Sequence, residues 1–200
     1  MAQSIVDICN SALQKVGAVS IVSLDDNSRE ARQCKIAYDS NRRSELRKHP
    51  WNFAVKRVVL APESTSPSFD YAYQFPLPSD CLRVLIPPDA CLDWAVEGKK
   101  ILSNTGPILN LRYISDVEDV TQFDPAFYDM LAISLAIDIC EAITTSASKT
   151  NVLEGMYKEA VSEARRNNAF ERLPMNPPAD TLWLARNGGA GDRQISFTFP

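Results

Sequence analysis

Two pairs of adjacent carboxylates, Asp25–Asp26 and Glu118–Asp119, a single histidine, His49, and five cysteines are the residues of this 200-residue chain that could carry chemistry. Paired carboxylates serve glycoside hydrolysis when one acid protonates the leaving oxygen and the other acts across the sugar ring. That geometry needs acids converging from distant parts of a fold, whereas sequence neighbours in loops point apart. The two pairs therefore read as solvated acids, and a pair assembled from distant residues is invisible in one sequence. His49 stands before Pro50 at an apparent helix end, a position for a capping or packing residue before a general base. Cys9, Cys34, Cys81, Cys91 and Cys140 are odd in number, lack CxxC spacing and lie among apolar neighbours. They read as small core residues of a reduced compartment, not as a disulfide framework or a zinc set. GxGxxG, P-loop, HExxH and GxSxG motifs are all missing from the sequence, so the corresponding chemistries have no signal here. The reading is of a protein that is not an enzyme and needs no cofactor or metal.

Charge offers a second kind of candidate. Residues 29–57 hold nine Lys/Arg against three Asp/Glu, while residues 113–148 hold seven Asp/Glu and no Lys/Arg. A fold carrying these blocks has a dipolar surface, suited to head-to-tail contact between copies or to one partner of fixed orientation. Two solvated faces would leave the same pattern. The basic run also gives a modest signal for duplex DNA, with Arg42, Arg43, Arg47 and Lys48 near phosphates. The acid block and a net charge of −4 oppose general affinity for a polyanion.

These residues must be positioned by helices at both ends of the chain and strands between them. Residues 4–16 place Ile5, Ile8, Cys9, Ala12, Leu13 and Val16 on one helical stripe, and Gly17 is a natural stop. A second helix is expected over 27–49, opened by Asn27 with Glu30 in a capping-box variant and closed by Pro50. Its apolar stripe is thin, namely Ala31, Cys34, Tyr38 and Leu46. Arg32, Lys35, Arg42, Arg43, Arg47 and Lys48 are assigned to the opposite, exposed side. Pro50, Trp51 and Phe53 then form a junction: the proline stops the helix and the two aromatics anchor the first strand.

From 53 to 114, short β-branched and aromatic runs alternate with proline and glycine breaks. VKRVVLAP, DYAYQFPLP, CLRVLIPP, DWAVEGKKIL and ILNLRYI read as strands, with EGKK at 97–100 as a hairpin turn. The prolines argue for short edge strands in a small antiparallel sheet. No helix separates these strands, so a parallel α/β fold is disfavoured. The helical period returns at Asp124, an N-cap followed by Pro125 at the first helical position. Phe127, Met130, Leu131, Leu135, Ala136, Ile139 and Ile143 make its apolar face. A last helix over roughly 150–170 carries Val152, Leu153, Met156, Tyr157, Ala160 and Ala164.

The fold class is thus α+β: an antiparallel helical bundle from residues 1–52 and 115–173, an inserted β subdomain over 53–114, and an extended tail over 174–200. The tail has too many prolines and glycines for a long helix, yet it carries Leu182, Trp183, Leu184, Phe197 and Phe199. Its ISFTF run alternates like a strand able to add to a sheet edge. The tail is expected to order against another subunit; a floppy terminus, or one folded back on its own body, is the alternative. The N-terminus lacks a basic, apolar leader. The longest apolar stretch, 130–140, is too short for a membrane span.

Several runs together resemble the tail tubular protein A family, the head-to-tail adaptors of short-tailed bacteriophages. They are RRSELRKHPWNFAVKRVVLAP (42–62), YAYQFPLPSDCLRVLIP (71–87), WAVEGKKIL (94–102), LRYISDVEDVTQFDPAFYDMLAISLA (111–136) and YKEAVSEAR (157–165). The resemblance covers residues 3–170 and leaves the tail unmatched. It implies a helical bundle with a β subdomain and a ring of about twelve copies in closed cyclic symmetry. Such a ring sits beneath the portal, joins it to the tail nozzle, bears fibres or spikes, and lets DNA pass through its lumen without specific binding. The implied location is the neck of the virion, after synthesis in the host bacterial cytoplasm, with no membrane partner. Within such a ring, Arg42, Arg43, Arg47 and Lys48 would meet Glu118 and Asp119 of a neighbour. The alternative reading is a tail-borne peptidoglycan or capsule hydrolase using an acid pair, and a third is a DNA-binding module on the 29–57 helix.

Overall fold

The computed structural model describes residues 4–85, 93–104 and 106–171. The tail residues Leu182, Trp183, Leu184, Phe197 and Phe199 and the fifth cysteine, Cys91, lie outside the described residues. The fold is α+β, with four α-helices and two three-stranded antiparallel sheets.

Helix α1 spans Ile5–Val16. Ser4 accepts from the Asp7 amide while the Asp7 carboxylate reaches back to the Ser4 amide, so two orphan donors are satisfied at once. Gly17 ends the helix at φ 78°, a left-handed conformation that favours glycine. Helix α2 spans Arg29–Lys48 and is capped by Ser28, whose hydroxyl accepts from the Ala31 amide. The expected cap, Asn27, lies one residue too early. Helix α3 spans Pro125–Thr144 and opens as expected on Asp124, which accepts from the Ala126 and Phe127 amides. Helix α4 spans Ala147–Phe170.

α3 is the centre of the bundle and packs against α1, α2 and α4. Its residues 130–136 are buried without a break, because a helix flanked on three sides has little face left for solvent. The peripheral helices each bury one stripe. On α1 it is the expected one, with Ile8, Cys9, Ala12, Leu13 and Val16 fully buried. On α4 only Leu153 and Ala164 are fully covered; Val152 and Met156, expected in the stripe, are 64% and 41% exposed. Helix positions are 100° apart, so a six-residue stripe is wider than α3, the main neighbour of α4, can cover.

Between α2 and α3 the chain makes six strands: β1 (Val55–Leu60), β2 (Tyr73–Pro76), β3 (Cys81–Leu85), β4 (Trp94–Glu97), β5 (Lys100–Ser103) and β6 (Leu109–Ser115). One sheet has the order β1-β6-β3 and the other β2-β5-β4, so two small sheets replace the one expected. The β4–β5 hairpin turns at Gly98 with φ 59°, within the expected EGKK. Pro76 closes edge strand β2, where its missing N–H costs no ladder bond. A second core joins the sheets face to face through Phe75 and Ile101 on one side and Leu109, Leu111 and Tyr113 on the other.

Candidate functional site

The two cores meet where α2 ends. The residue before Pro50 cannot continue a helix, and His49 is extended at φ −141°. The chain then makes a short 3-10 turn, Asn52–Ala54, and enters β1. Trp51 is 2% exposed and donates its indole N–H to the Glu45 carbonyl at 3.1 Å, satisfying one of the last carbonyls of α2. Its ring stands edge-on to Phe127 at 5.0 Å, and Phe53 packs against Phe123 at 5.6 Å and Phe127 at 5.0 Å. These are tilted and edge-to-face contacts of the kind aromatic quadrupoles favour. The junction aromatics therefore belong to the bundle core and seat the start of β1 against the first turn of α3.

A polar clasp holds the same segment to the far end of α4. Asn52 receives the Asn168 side-chain oxygen on its amide N–H at 2.7 Å and donates its own side chain to the Asn168 carbonyl at 2.8 Å. Asn168 also contacts the His49 Nε2 at 3.1 Å. His49 lies edge-on to Trp51 at 4.7 Å. The single histidine is thus part of the junction packing.

Glu45 is the second feature of the junction, and sequence reading missed it. The residue is 2% exposed, yet its carboxylate accepts from the Ser134 hydroxyl at 2.7 Å, the Tyr157 hydroxyl at 2.8 Å and the Lys48 ammonium at 2.7 Å. Three helices converge on one carboxylate. Burial disfavours the charged form of Lys48, but its bonds to Glu45 and Tyr157 outweigh this and raise its pKa. Burial and the Glu45 bond both raise Tyr157. Lys48 also lies 5.5 Å from the Tyr157 ring centroid. A polar residue in a charged run gives no sequence signal that it faces inward; only the phase of Glu45 with Tyr38 and Leu46 hinted at it.

Arg42 requires the largest correction. Expected on an exposed basic face, it is 2% exposed. Its guanidinium donates to the Asp116 carboxylate and the Val117 carbonyl, while Arg43 pairs with the other Asp116 oxygen at 2.9 Å. One residue of the acid block is therefore met by two of the basic block inside a single chain. Burial of such a charge is tolerable only with paired, hydrogen-bonded partners. Arg47 donates to the Leu82 carbonyl, and Arg83 donates back to the Arg47 carbonyl at 3.0 Å. This exchange ties the C-terminal end of α2 to β3 and caps its free carbonyls with a cation. Arg43, Arg47 and Lys48 keep exposed surface, whereas Arg42 offers a partner almost none.

The expected acid residues differ in role. Glu118 is exposed, and Asp119 is exposed but caps the 3-10 turn Val120–Gln122 through the Thr121 amide at 3.0 Å. Asp25 pairs with Lys35 at 2.6 Å, and Asp26 accepts from the Val22 and Ser23 amides. Cys9, Cys34 and Cys140 are buried free thiols and Cys81 is half-buried, as expected for core residues. Among the described residues no cluster of three or more metal-ligating side chains occurs, and no helix is long and apolar enough to cross a membrane. No protein-family model matches the sequence, and no curated protein matches it.

Proposed function

We propose that this chain is a structural adaptor of a short-tailed bacteriophage virion, akin to tail tubular protein A. In this reading, copies form a ring of about twelve, closed by cyclic symmetry. The ring joins the portal to the tail nozzle, bears fibres or spikes, and leaves DNA free to pass. It works in the virion neck and uses no cofactor.

The observation that carries the reading is the position of HPWNFA, one of the two runs that together make the resemblance specific. Those six residues seat the start of β1 on the bundle through an aromatic cluster and an asparagine clasp, and next to them the Arg47–Leu82 and Arg83–Arg47 bonds tie α2 to β3. A junction restrained from three directions suits a part that keeps its shape between two larger assemblies. Asp25, Asp26 and Asp119 are each engaged in local contacts, so the adjacent acid pairs lend the hydrolase reading no support.

The test is to mix the purified chain with its own phage portal and image the product by negative-stain electron microscopy, alongside a chain cut after Leu173. Rings on portals are the expected result, and their loss on truncation would assign docking to the tail. No complex with either chain, together with clearing of peptidoglycan in a zymogram, would replace the adaptor with the hydrolase.

A further inference from the structure

The β1–β6 register sets Arg57 directly opposite Arg112 and Val59 opposite Asn110. Directly opposed residues of an antiparallel pair share a face of the sheet. Val58, Leu60, Leu111 and Tyr113 point into the second core, so Arg57, Val59, Asn110 and Arg112 stand on the outer face. They border a shallow depression of about 440 Å³. Val59 is 65% exposed there, and β1 is the edge strand of its sheet.

Like charges directly opposite one another destabilise a strand pair. The basic residues of the neighbouring segments are mostly engaged: Arg43 and Lys56 with carboxylates, Arg47 and Arg83 with carbonyls. Arg57 and Arg112 have no ion pair or side-chain hydrogen bond among the described residues, and the Arg112 Nε is buried without a partner. A folded chain thus keeps two adjacent guanidinium groups, neither ion-paired among the described residues, around an exposed valine.

We propose that this face is the contact for a second copy of the chain, with Arg57 and Arg112 receiving carboxylates from its acidic surface. Guanidinium forks bind carboxylates in paired, charge-assisted bonds, and a carboxylate between the two arginines would cancel their repulsion. The exposed valine favours a protein surface over a polyphosphate, which gains nothing from apolar contact. The chain supplies the complement: Glu118, Asp129 and Glu141 are exposed, and none forms an ion pair among the described residues. Basic face to acidic face is a heterologous contact, the kind that closes a ring. The occupant rests on the adaptor-ring reading; the two opposed arginines, without an ion pair among the described residues, do not.

The test uses two charge-reversed full-length chains, one with Arg57→Glu and Arg112→Glu, the other with Glu118→Lys and Asp129→Lys, each assembled on the portal. Each alone loses rings by at least tenfold, equivalent to ~1.4 kcal/mol. An equal mixture restores them, because every interface then pairs opposite charges in one sense or the other. Thermal melts of each variant establish that it is folded, and the neutral Arg57→Gln chain melts no lower than wild type at low salt. Rings from the arginine variant alone at wild-type yield overturn this inference and leave the adaptor reading intact. Loss without rescue in the mixture overturns the acidic surface as occupant. Salt-sensitive duplex binding that the arginine variant loses while still forming rings would give the face to nucleic acid instead. A wild-type chain that forms no rings removes the adaptor reading and this inference together.

Discussion

Arg42 in α2 and Asp116 just after β6, 74 residues apart in the chain, form a buried ion pair that joins the bundle to the sheets. Arg42 is 2% exposed and the Asp116 side chain 12%. The Val117 carbonyl and Arg43 satisfy the remaining groups. The pair fixes where the chain leaves the β subdomain relative to where it entered.

Removing one member should therefore be costly. Arg42→Ala is expected to lower unfolding free energy by about 3 kcal/mol, because it removes the buried partner of Asp116, leaves the Val117 carbonyl without its donor and leaves Asp116 only the exposed Arg43. Arg43→Ala, whose side chain is 55% exposed, should cost about 1 kcal/mol or less. Urea denaturation of the two variants checks the contrast, and equal losses would mean that Asp116 does not depend on the buried arginine.

The Glu45 cluster should behave as one unit. Glu45→Gln and Tyr157→Phe each remove a partner from a site that Ser134 and Lys48 also share. A double-mutant cycle is expected to give a coupling of about 0.5–3 kcal/mol. Additive losses would show that the hydroxyl and the carboxylate act separately.

Trp51 separates packing from hydrogen bonding. Trp51→Ala should cost about 3–5 kcal/mol, the range for truncating a buried aromatic. Trp51→Phe retains much of the ring contact with Phe127 but loses the bond to the Glu45 carbonyl, and should cost more than the bond's usual ~1 kcal/mol if that carbonyl is left unpaired. Calorimetric melts of both variants measure the difference.

The Asp80–Tyr113 contact, at 3.0 Å, sets a pH window. Burial, reinforced by the Asp80 carboxylate, pushes the Tyr113 hydroxyl up to about 12. A folded pKa above the unfolded value of about 10 stabilises the fold fully below pH 10 and loses that contribution as pH rises through 12. Burial pushes Asp80 up, but bonds from Lys56 and Tyr113 outweigh it and hold its carboxyl below the usual range. That contribution is present above about pH 4 and lost as pH falls through the folded value. Urea midpoints across pH should fall at both extremes, and Tyr113→Phe should make the alkaline decline shallower, with Tyr157, also raised by burial, supplying part of the remainder. An unchanged alkaline slope in that variant would place the transition elsewhere.

The elements themselves were legible because each has a local cause. The periodicity of Ile8, Ala12 and Leu13, the Asp124-Pro125 start of α3 and the left-handed glycines 17 and 98 act within a few residues, and the structure has all of them where expected. The division into two sheets was not legible. Pairing of β6 with both β1 and β3, and of β5 with both β2 and β4, is chosen by which apolar faces can meet, and that choice is made between segments far apart in the chain.

The candidate site divides in the same way. Pro50, Trp51 and Phe53 could be read directly, because a helix stop followed by large apolar rings has a narrow set of uses in a folded chain. Arg42, Arg43, Glu45 and Lys48 could not. Their residue types are those of a solvated face, and a charge is worth burying only where its partner waits. For Arg42 that partner is Asp116, brought to α2 by the return of β6; for Glu45 it is Ser134 and Tyr157, brought by α3 and α4. By itself the sequence determined the helices, the strands and the apolar junction, since backbone propensity and hydrophobic period are short-range. Only the tertiary structure decided which charges are structural and which, like Arg57 and Arg112, have no ion pair among the described residues, because electrostatic satisfaction depends on neighbours that sequence distance does not reveal.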